Sequence, residues 1–262
     1  MSNTIPALSV AIIAFNEEAR IAQCIENVTG IADEIIVVDS GSTDRTAEIA
    51  LSLGAKLFRE EWKGFAGQRN SARDKCTGRW VLFVDCDEIL SEEARSGIAA
   101  ALARDIFSGY QLKFTSFFMG KWIQHSWRQD WHIRLARRDS CRWTGDYVHE
   151  TLECDGEIGK IDGQVSHFTY SDYEKELVKS ILYAKLGAQS LCSRNKKIKL
   201  SHLIFNPLWG FMKHYFVKRG FLDGFQGFII AVSNLHYTFS KYLIAWEMQN
   251  ADRCKRADIP KR

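Results

Sequence analysis

The first hundred residues predict an α/β fold, a mainly parallel sheet flanked by helices. Short, continuously apolar runs alternate there with segments of helical spacing. Turn and capping residues separate them, and three apolar runs end in polar clusters: Asn16-Glu17-Glu18, Asp39-Ser40-Gly41-Ser42 and Asp85-Cys86-Asp87-Glu88. Sheets of this class bind ligands outside the carboxyl ends of their strands. Three polar strand ends together are what a nucleotide site would look like.

Taken in order, Leu8–Phe15 (LSVAIIAF) is an apolar run broken only by Ser9, as suits a strand buried on both faces. Asn16 is a candidate N-cap for a helix over Glu17–Val28, whose Ala19, Ile21, Ile25 and Val28 share one face. Glu34–Asp39 (EIIVVD) is a second buried strand, and Thr46–Leu53 a helix that Gly54 ends. Ala55–Phe58, Phe65–Lys75 and Trp80–Val84 continue as strand, helix and strand, and Ser91–Ala103 is a further helix opened by Ser91-Glu92-Glu93. This β-α-β-α-β-α-β-α order is the signature of parallel strands with helical crossovers. Beyond Gly109 the pattern changes. Tyr110–Phe118, Trp131–Arg137, Val148–Leu152 and Gly163–Phe168 read as strands completing a mixed sheet, and from Ser171 onward the pattern is helical.

An apolar fraction of 46% and a charged fraction of 26% over 262 residues are those of a globular chain, which argues against disorder. The net charge of +3 is unevenly placed: residues 1–193 carry 22 basic and 28 acidic side chains, residues 194–262 carry 13 and 4. We therefore expect a basic helical extension over 194–262 after a sheet-forming domain over 1–193, whose half 1–105 carries the nucleotide-like strand ends and whose half 106–193 would face an acceptor. Seven scattered cysteines without a CxxC pair point to free thiols in a reducing compartment. The N-terminus lacks a signal-peptide pattern, and no apolar run reaches the ~18 residues of a spanning helix. A cytoplasmic protein is expected.

The stretch WVLFVDCDE runs five apolar residues into three carboxylates. Burying such charge is costly unless something offsets it. A divalent ion does so, since Mg²⁺ and Mn²⁺ take a few carboxylates and fill the remaining positions with water or phosphate oxygen. Asp85 and Asp87 are thus candidate metal ligands; the alternative is a solvated turn or helix cap.

The segment VVDSGSTDRT narrows the reading. Asp39, Gly41-Ser42, Asp44 and Thr46 resemble the nucleotide-binding segment of the family 2 glycosyltransferases, which have the GT-A fold. Phe15-Asn16-Glu17 is similar to that family's Tyr-Asn-Glu entry, although Ile13 and Ala14 replace its usual Pro and Thr. Gly67–Ala72 (GQRNSA) is similar to its Arg-Asn segment, and Val84–Glu88 to its Asp-x-Asp. Looser matches, Ile133–Arg137, Tyr147–Thr151, Ser166–Tyr170 and Gly220–Gly224, resemble the branch holding the lipopolysaccharide core glucosyltransferases of the WaaE/KdtX type.

The resemblance implies an inverting hexosyltransferase that uses a UDP-sugar and Mg²⁺ or Mn²⁺. UDP-glucose would be the donor and an inner-core heptose the acceptor; another acceptor, such as a polyprenyl phosphate, is the alternative. Phe15, Asn16, Glu17, Asp39, Ser40, Gly41, Ser42, Arg69, Asn70, Asp85 and Arg134 would bind the donor. Their plainer readings are structural: Asp39 as a helix cap, Glu17 as a helix-dipole partner, Arg69 paired with Asp74, Arg134 paired with a nearby carboxylate. His167, at the end of a late strand, is a further candidate metal or diphosphate contact, or a structural histidine. Inversion needs a base, usually a carboxylate. Glu150 is the first choice and Asp146 the reserve, with Asp130 behind them.

The tail from Lys196 is rich in Phe, Trp, Tyr and Lys, a composition suited to interfacial helices on anionic headgroups and to a lipid-linked saccharide acceptor. That places the protein on the cytoplasmic face of the inner membrane; packing of these aromatics on the domain or in an oligomer is the alternative. No nucleic-acid-binding module accompanies the charge. A haloacid-dehalogenase-type phosphatase also places Asp-x-Asp after a strand, but Glu88 stands where that class has Thr or Val.

Overall fold

Leu8–Ala14 (β1) has side chains that alternate between two separate cores, which is why its sequence is apolar at every position but Ser9. Leu8, Val10 and Ile12 enter one core, and Ala11 and Ile13 enter or border the other. Glu34–Asp39 (β2) and Trp80–Phe83 (β4) divide in the same way, with Ile35, Val37, Trp80 and Leu82 on the first side and Ile36, Val38, Val81 and Phe83 on the second. The computed structural model describes residues 7–127, 130–145, 150–170 and 173–250.

The chain divides into two compact units, Met1–Ser116 with Gln129–Thr169, and Phe117–Arg128 with Tyr170–Arg262. The main sheet runs β3-β2-β1-β4-β8-β6-β11-β5, where β3 is Lys56–Arg59, β5 Glu88–Leu90, β6 Gly109–Phe118, β8 Trp131–Arg137 and β11 Ile158–Tyr170. β3, β2, β1 and β4 are mutually parallel, while β4–β8, β8–β6 and β11–β5 are antiparallel. The sheet is mixed and flanked by helices, as expected. Ile21–Thr29 (α1), Thr46–Ser52 (α2) and Glu92–Arg104 (α4) put apolar side chains into the first core. Phe65–Lys75 (α3) and the small hairpin of Cys141–Thr144 (β9) with Thr151–Cys154 (β10) cover the second.

Two local features depart from the sequence expectation. The first helix begins at Ile21 rather than Glu17, because Asn16 turns into the left-handed region (φ 53) and spends its side chain elsewhere. Asn tolerates that conformation better than most residues. Glu88–Leu90 is a short strand on the late strand β11, with Glu88 in register with His167. The expected strand Val148–Leu152 lies partly outside the described residues; β10 begins at Thr151.

The second unit contains Lys121–Ile123 (β7), Tyr173–Ser193 (α5), Leu200–Met212 (α6) and Phe225–Gln249 (α7). α7 packs along both α5 and α6. Among the described residues no helix is long and apolar enough to cross a membrane.

Candidate active site

The loops after β1 and β2 are sewn together, and the stitching explains why both sequences are rich in hydroxyls and short polar side chains. The Asn16 N–H donates to Ser42 Oγ (2.9 Å), and Asn16 Oδ1 accepts from the Thr43 N–H (2.8 Å). The N–H groups of Glu17 and Glu18 donate to Thr46 Oγ1 (2.7 Å) and Asp44 Oδ2 (3.1 Å). Asp39 at the strand end has no exposed surface; its carboxylate accepts from the Ser42 hydroxyl and, at 3.2 Å, from the Ser42 N–H. Gly41 (φ 94) supplies the left-handed turn between them. Phe15 is 56% exposed beside this frame, a flat apolar surface at the carboxyl end of β1.

The β4 end is organised by charge. Arg69 of α3 donates from Nη2 to both oxygens of Asp85 (2.9 and 2.7 Å) and from Nη1 to Glu150 Oε1 (2.6 Å). Arg134 of β8 donates to Glu88 Oε1 (2.6 Å), and the same nitrogen lies 3.4 Å from Asp85 Oδ2. Both guanidiniums lie over the Trp143 ring, 4.7 and 5.8 Å from its centroid. Glu88 in turn accepts the Asp85 N–H (3.0 Å). Burial works to raise the Asp85 carboxyl, but Arg69 and Arg134 outweigh it and hold it well below the ordinary carboxylate range. Burial pushes Glu88 the other way, up to about 7, against the pull of Arg134.

Asp87 points elsewhere. Its Oδ2 lies 3.2 Å from His167 Nε2 and 3.8 Å from Arg20 Nη1, with the three side chains partly exposed. Burial acts to lower the His167 pKa, and Asp87, Glu88 and Asp85 together raise it above its ordinary value. A carboxylate oxygen and an imidazole nitrogen this close could fill two positions of a divalent ion, which would take the rest from water and diphosphate oxygen. Among the described residues no three His, Cys, Asp or Glu side chains converge as a complete metal cage. Asp87 and His167 are the residues that would hold such an ion, in a site shared with a bound diphosphate. Asp85, embraced by two arginines, is oriented toward them.

The structure thus brings Arg69, Asp85, Arg134 and Glu150 into one cluster and Asp87 with His167 into a neighbouring pair. Arg69 does not pair with Asp74, which Arg73 takes instead. Asn70 uses both ends of its amide on the backbone of Trp143 (2.8 and 2.9 Å), so it positions β9. Ser40 donates its N–H to the Ala14 carbonyl (2.9 Å), bridging β2 to β1. Asp146 lies outside the described residues. Sequence reasoning did not single out Arg20 or Trp143. Arg20 had one signal, a cation one helical turn beyond the strand-end Asn16-Glu17. Trp143 had none, since its role depends on a hairpin folding under α3.

A mixed, mainly parallel α/β sheet flanked by helices, with polar loops at the carboxyl ends of its parallel strands, is the architecture of the GT-A glycosyltransferase fold. The chain belongs to the glycosyltransferases described as Glycosyl transferase family 2, matching that family over residues 9–152. It is 33% identical to an uncharacterized glycosyltransferase, RT0209, of Rickettsia typhi over 249 residues (90% of this chain, 84% of that protein). It is 32% identical to the lipopolysaccharide core biosynthesis glycosyltransferase LpsC of Rhizobium meliloti over 241 residues (88% and 89%). Its structure is similar to that of S. aureus TarS 1–349 in complex with UDP-GlcNAc, with a TM-score of 0.47, 16% identity, and coverage of 95% of this chain and 92% of that one. Family membership sets aside the phosphatase alternative.

Proposed function

We propose that this enzyme is an inverting hexosyltransferase that moves glucose from UDP-glucose to a lipid-linked saccharide, the heptose of the lipopolysaccharide inner core. The observation that carries the acceptor class is the match to LpsC along nearly the whole of both chains. The uridine end of the donor sits against Phe15 and the loops after β1 and β2, with the diphosphate toward Arg20, Asp87 and His167. Mg²⁺ or Mn²⁺ held by Asp87 and His167 would neutralise charge on the departing diphosphate.

The acceptor oxygen forms its bond to the anomeric carbon on the face opposite the diphosphate. The bond from that carbon to the phosphate oxygen breaks, and its electron pair leaves with UDP. Glu150 takes the hydroxyl proton, with Asp146 in reserve. Arg69 holds Glu150 and Asp85 in fixed relation, so the base and the strand-end carboxylate are placed by one guanidinium. An acceptor of this kind brings the enzyme to the cytoplasmic face of the inner membrane.

The test is a panel of UDP-sugars with Mg²⁺ or Mn²⁺ against a heptose-terminated core acceptor. UDP-glucose should be consumed, and Asp87→Ala should lower turnover by about 10²–10³-fold while leaving the thermal midpoint unchanged. Undiminished turnover by Asp87→Ala would sink the metal assignment. Preference for another sugar or a polyprenyl phosphate would replace the substrate.

A further inference from the structure

α6 has two apolar faces, and only one of them is used within its unit. Leu203, Pro207 and Gly210, spaced i, i+4 and i+7, form the inner face. Leu203 joins the cluster of Ile198, Tyr242 and Ala245, and Pro207 is buried. At Gly210 a Cβ would stand 2.5 Å from Asn234 Oδ1 of α7, so the two helices are close there. The other face carries Ile204, Phe205, Leu208, Trp209 and Met212, exposed by 46, 67, 53, 61 and 45%. At 100° per residue these five fall within one sector of the helix.

No residue of α6 carries a Lys, Arg, Asp or Glu side chain, yet cations bracket it: Lys196, Lys197 and Lys199 before, Lys213 and Arg219 after. Between residues 177 and 246 the only acidic residue is Asp223. That carboxylate is 2% exposed and accepts the N–H groups of Gln124, His125 and Ser126. The stretch therefore presents apolar and aromatic side chains between cations, with no exposed carboxylate.

We infer that this face of α6 docks onto an anionic lipid bilayer, lying in the headgroup plane with Phe205 and Trp209 inserted and the flanking lysines on lipid phosphates. The charge pattern selects the occupant. A second copy of the same face would bring like-charged flanks together, whereas an anionic surface is complementary to them. At 13 residues α6 spans only about 20 Å, too short for the ~30 Å hydrocarbon core, so it lies along the membrane. The inference rests on the lipid-linked acceptor proposed above for its biological use, but the binding itself needs neither donor nor acceptor.

Flotation of the full chain with vesicles tests it. The protein should float with phosphatidylcholine vesicles containing phosphatidylglycerol, float poorly with phosphatidylcholine alone, and lose binding as salt rises. The double variant Phe205→Ser/Trp209→Ser should partition at least about tenfold more weakly, with unchanged circular dichroism and thermal midpoint. Flotation of that variant at the wild-type level, or none by the wild type, would overturn the proposal. A concentration-dependent dimer that the same double variant dissolves, without vesicle binding, would assign the face to self-association instead. Transfer onto a delipidated core oligosaccharide separates the two readings. Its failure would count against the proposed substrate and leave the flotation result standing.

Discussion

The loop after β2 and the loop after β4 close two parallel strands on either side of β1 with an aspartate, and they settle its charge by different means. At the β2 end Asp39 is satisfied by Ser42, three residues away, with Arg59 only at 3.9 Å, and the surrounding carboxylates accept from backbone amides and hydroxyls rather than from buried guanidiniums. At the β4 end Asp85 is satisfied by guanidiniums 16 and 49 residues away, and Glu150 joins from 81 residues beyond Arg69. The first is a prebuilt frame whose shape survives the loss of one bond. The second holds three carboxylates against two arginines around one tryptophan, so each member depends on the others.

The sharpest way to break the comparison is Arg69→Met. It leaves Asp85 and Glu150 without their shared partner in a site where Arg69 is 8% exposed. Losing one side of a buried ion pair costs about 3–5 kcal/mol, so urea denaturation should show a loss of that size and transfer should be abolished. A cluster at the opposite end of β2 sharpens it at intermediate size. Buried Glu34 accepts from Ser9 Oγ (2.6 Å), Lys56 Nζ (2.8 Å) and the Thr77 N–H (2.6 Å), combining a hydroxyl, a cation and the backbone. Burial raises its carboxyl, but these partners outweigh it and bring it down to about 2 from 4.5. A depressed folded pKa stabilises above the unfolded value, so this contribution is complete above pH 4.5 and is lost as pH falls toward 2. It amounts to on the order of 3 kcal/mol, and Glu34→Gln should flatten that limb of the stability curve. The smallest effect belongs to the β2 loop: Ser42→Ala should cost about 1 kcal/mol in chemical denaturation, because Asp39 keeps the Ser42 N–H.

The same contrast governs what the sequence could disclose. The β2 turn was legible because its donors and acceptors lie within one short segment and follow turn and capping chemistry. β1, β2 and β4 were legible because burial on both faces demands mainly apolar runs, whereas β3 (KLFR) is largely exposed and was legible only from its place between two helices. The members of the arginine cluster were named from the sequence, Arg69 through its GQRNSA segment, but their pairing was not legible, since the partners lie 16 to 81 residues apart; Arg69 reaches the strand end, and Arg73 takes Asp74 and a carbonyl of β9. Glu88–Leu90 was passed over as a strand because three residues carry no periodicity, and its partner lies some 75 residues later. The start of α1 was placed too early because Asn16 serves the neighbouring loop, a competition that only the folded chain reveals.

The bonds of α3 to the hairpin have one more consequence. The N–H and carbonyl of Trp143 both go to the Asn70 side chain, and the carbonyl of Cys141 goes to Arg73. Those groups belong to the rim of β9 that faces away from β10. An open rim of this kind invites a foreign strand. Here a helix occupies it with a carboxamide and a guanidinium in place of backbone amides, so that rim of β9 is closed to edge-to-edge pairing without a further strand.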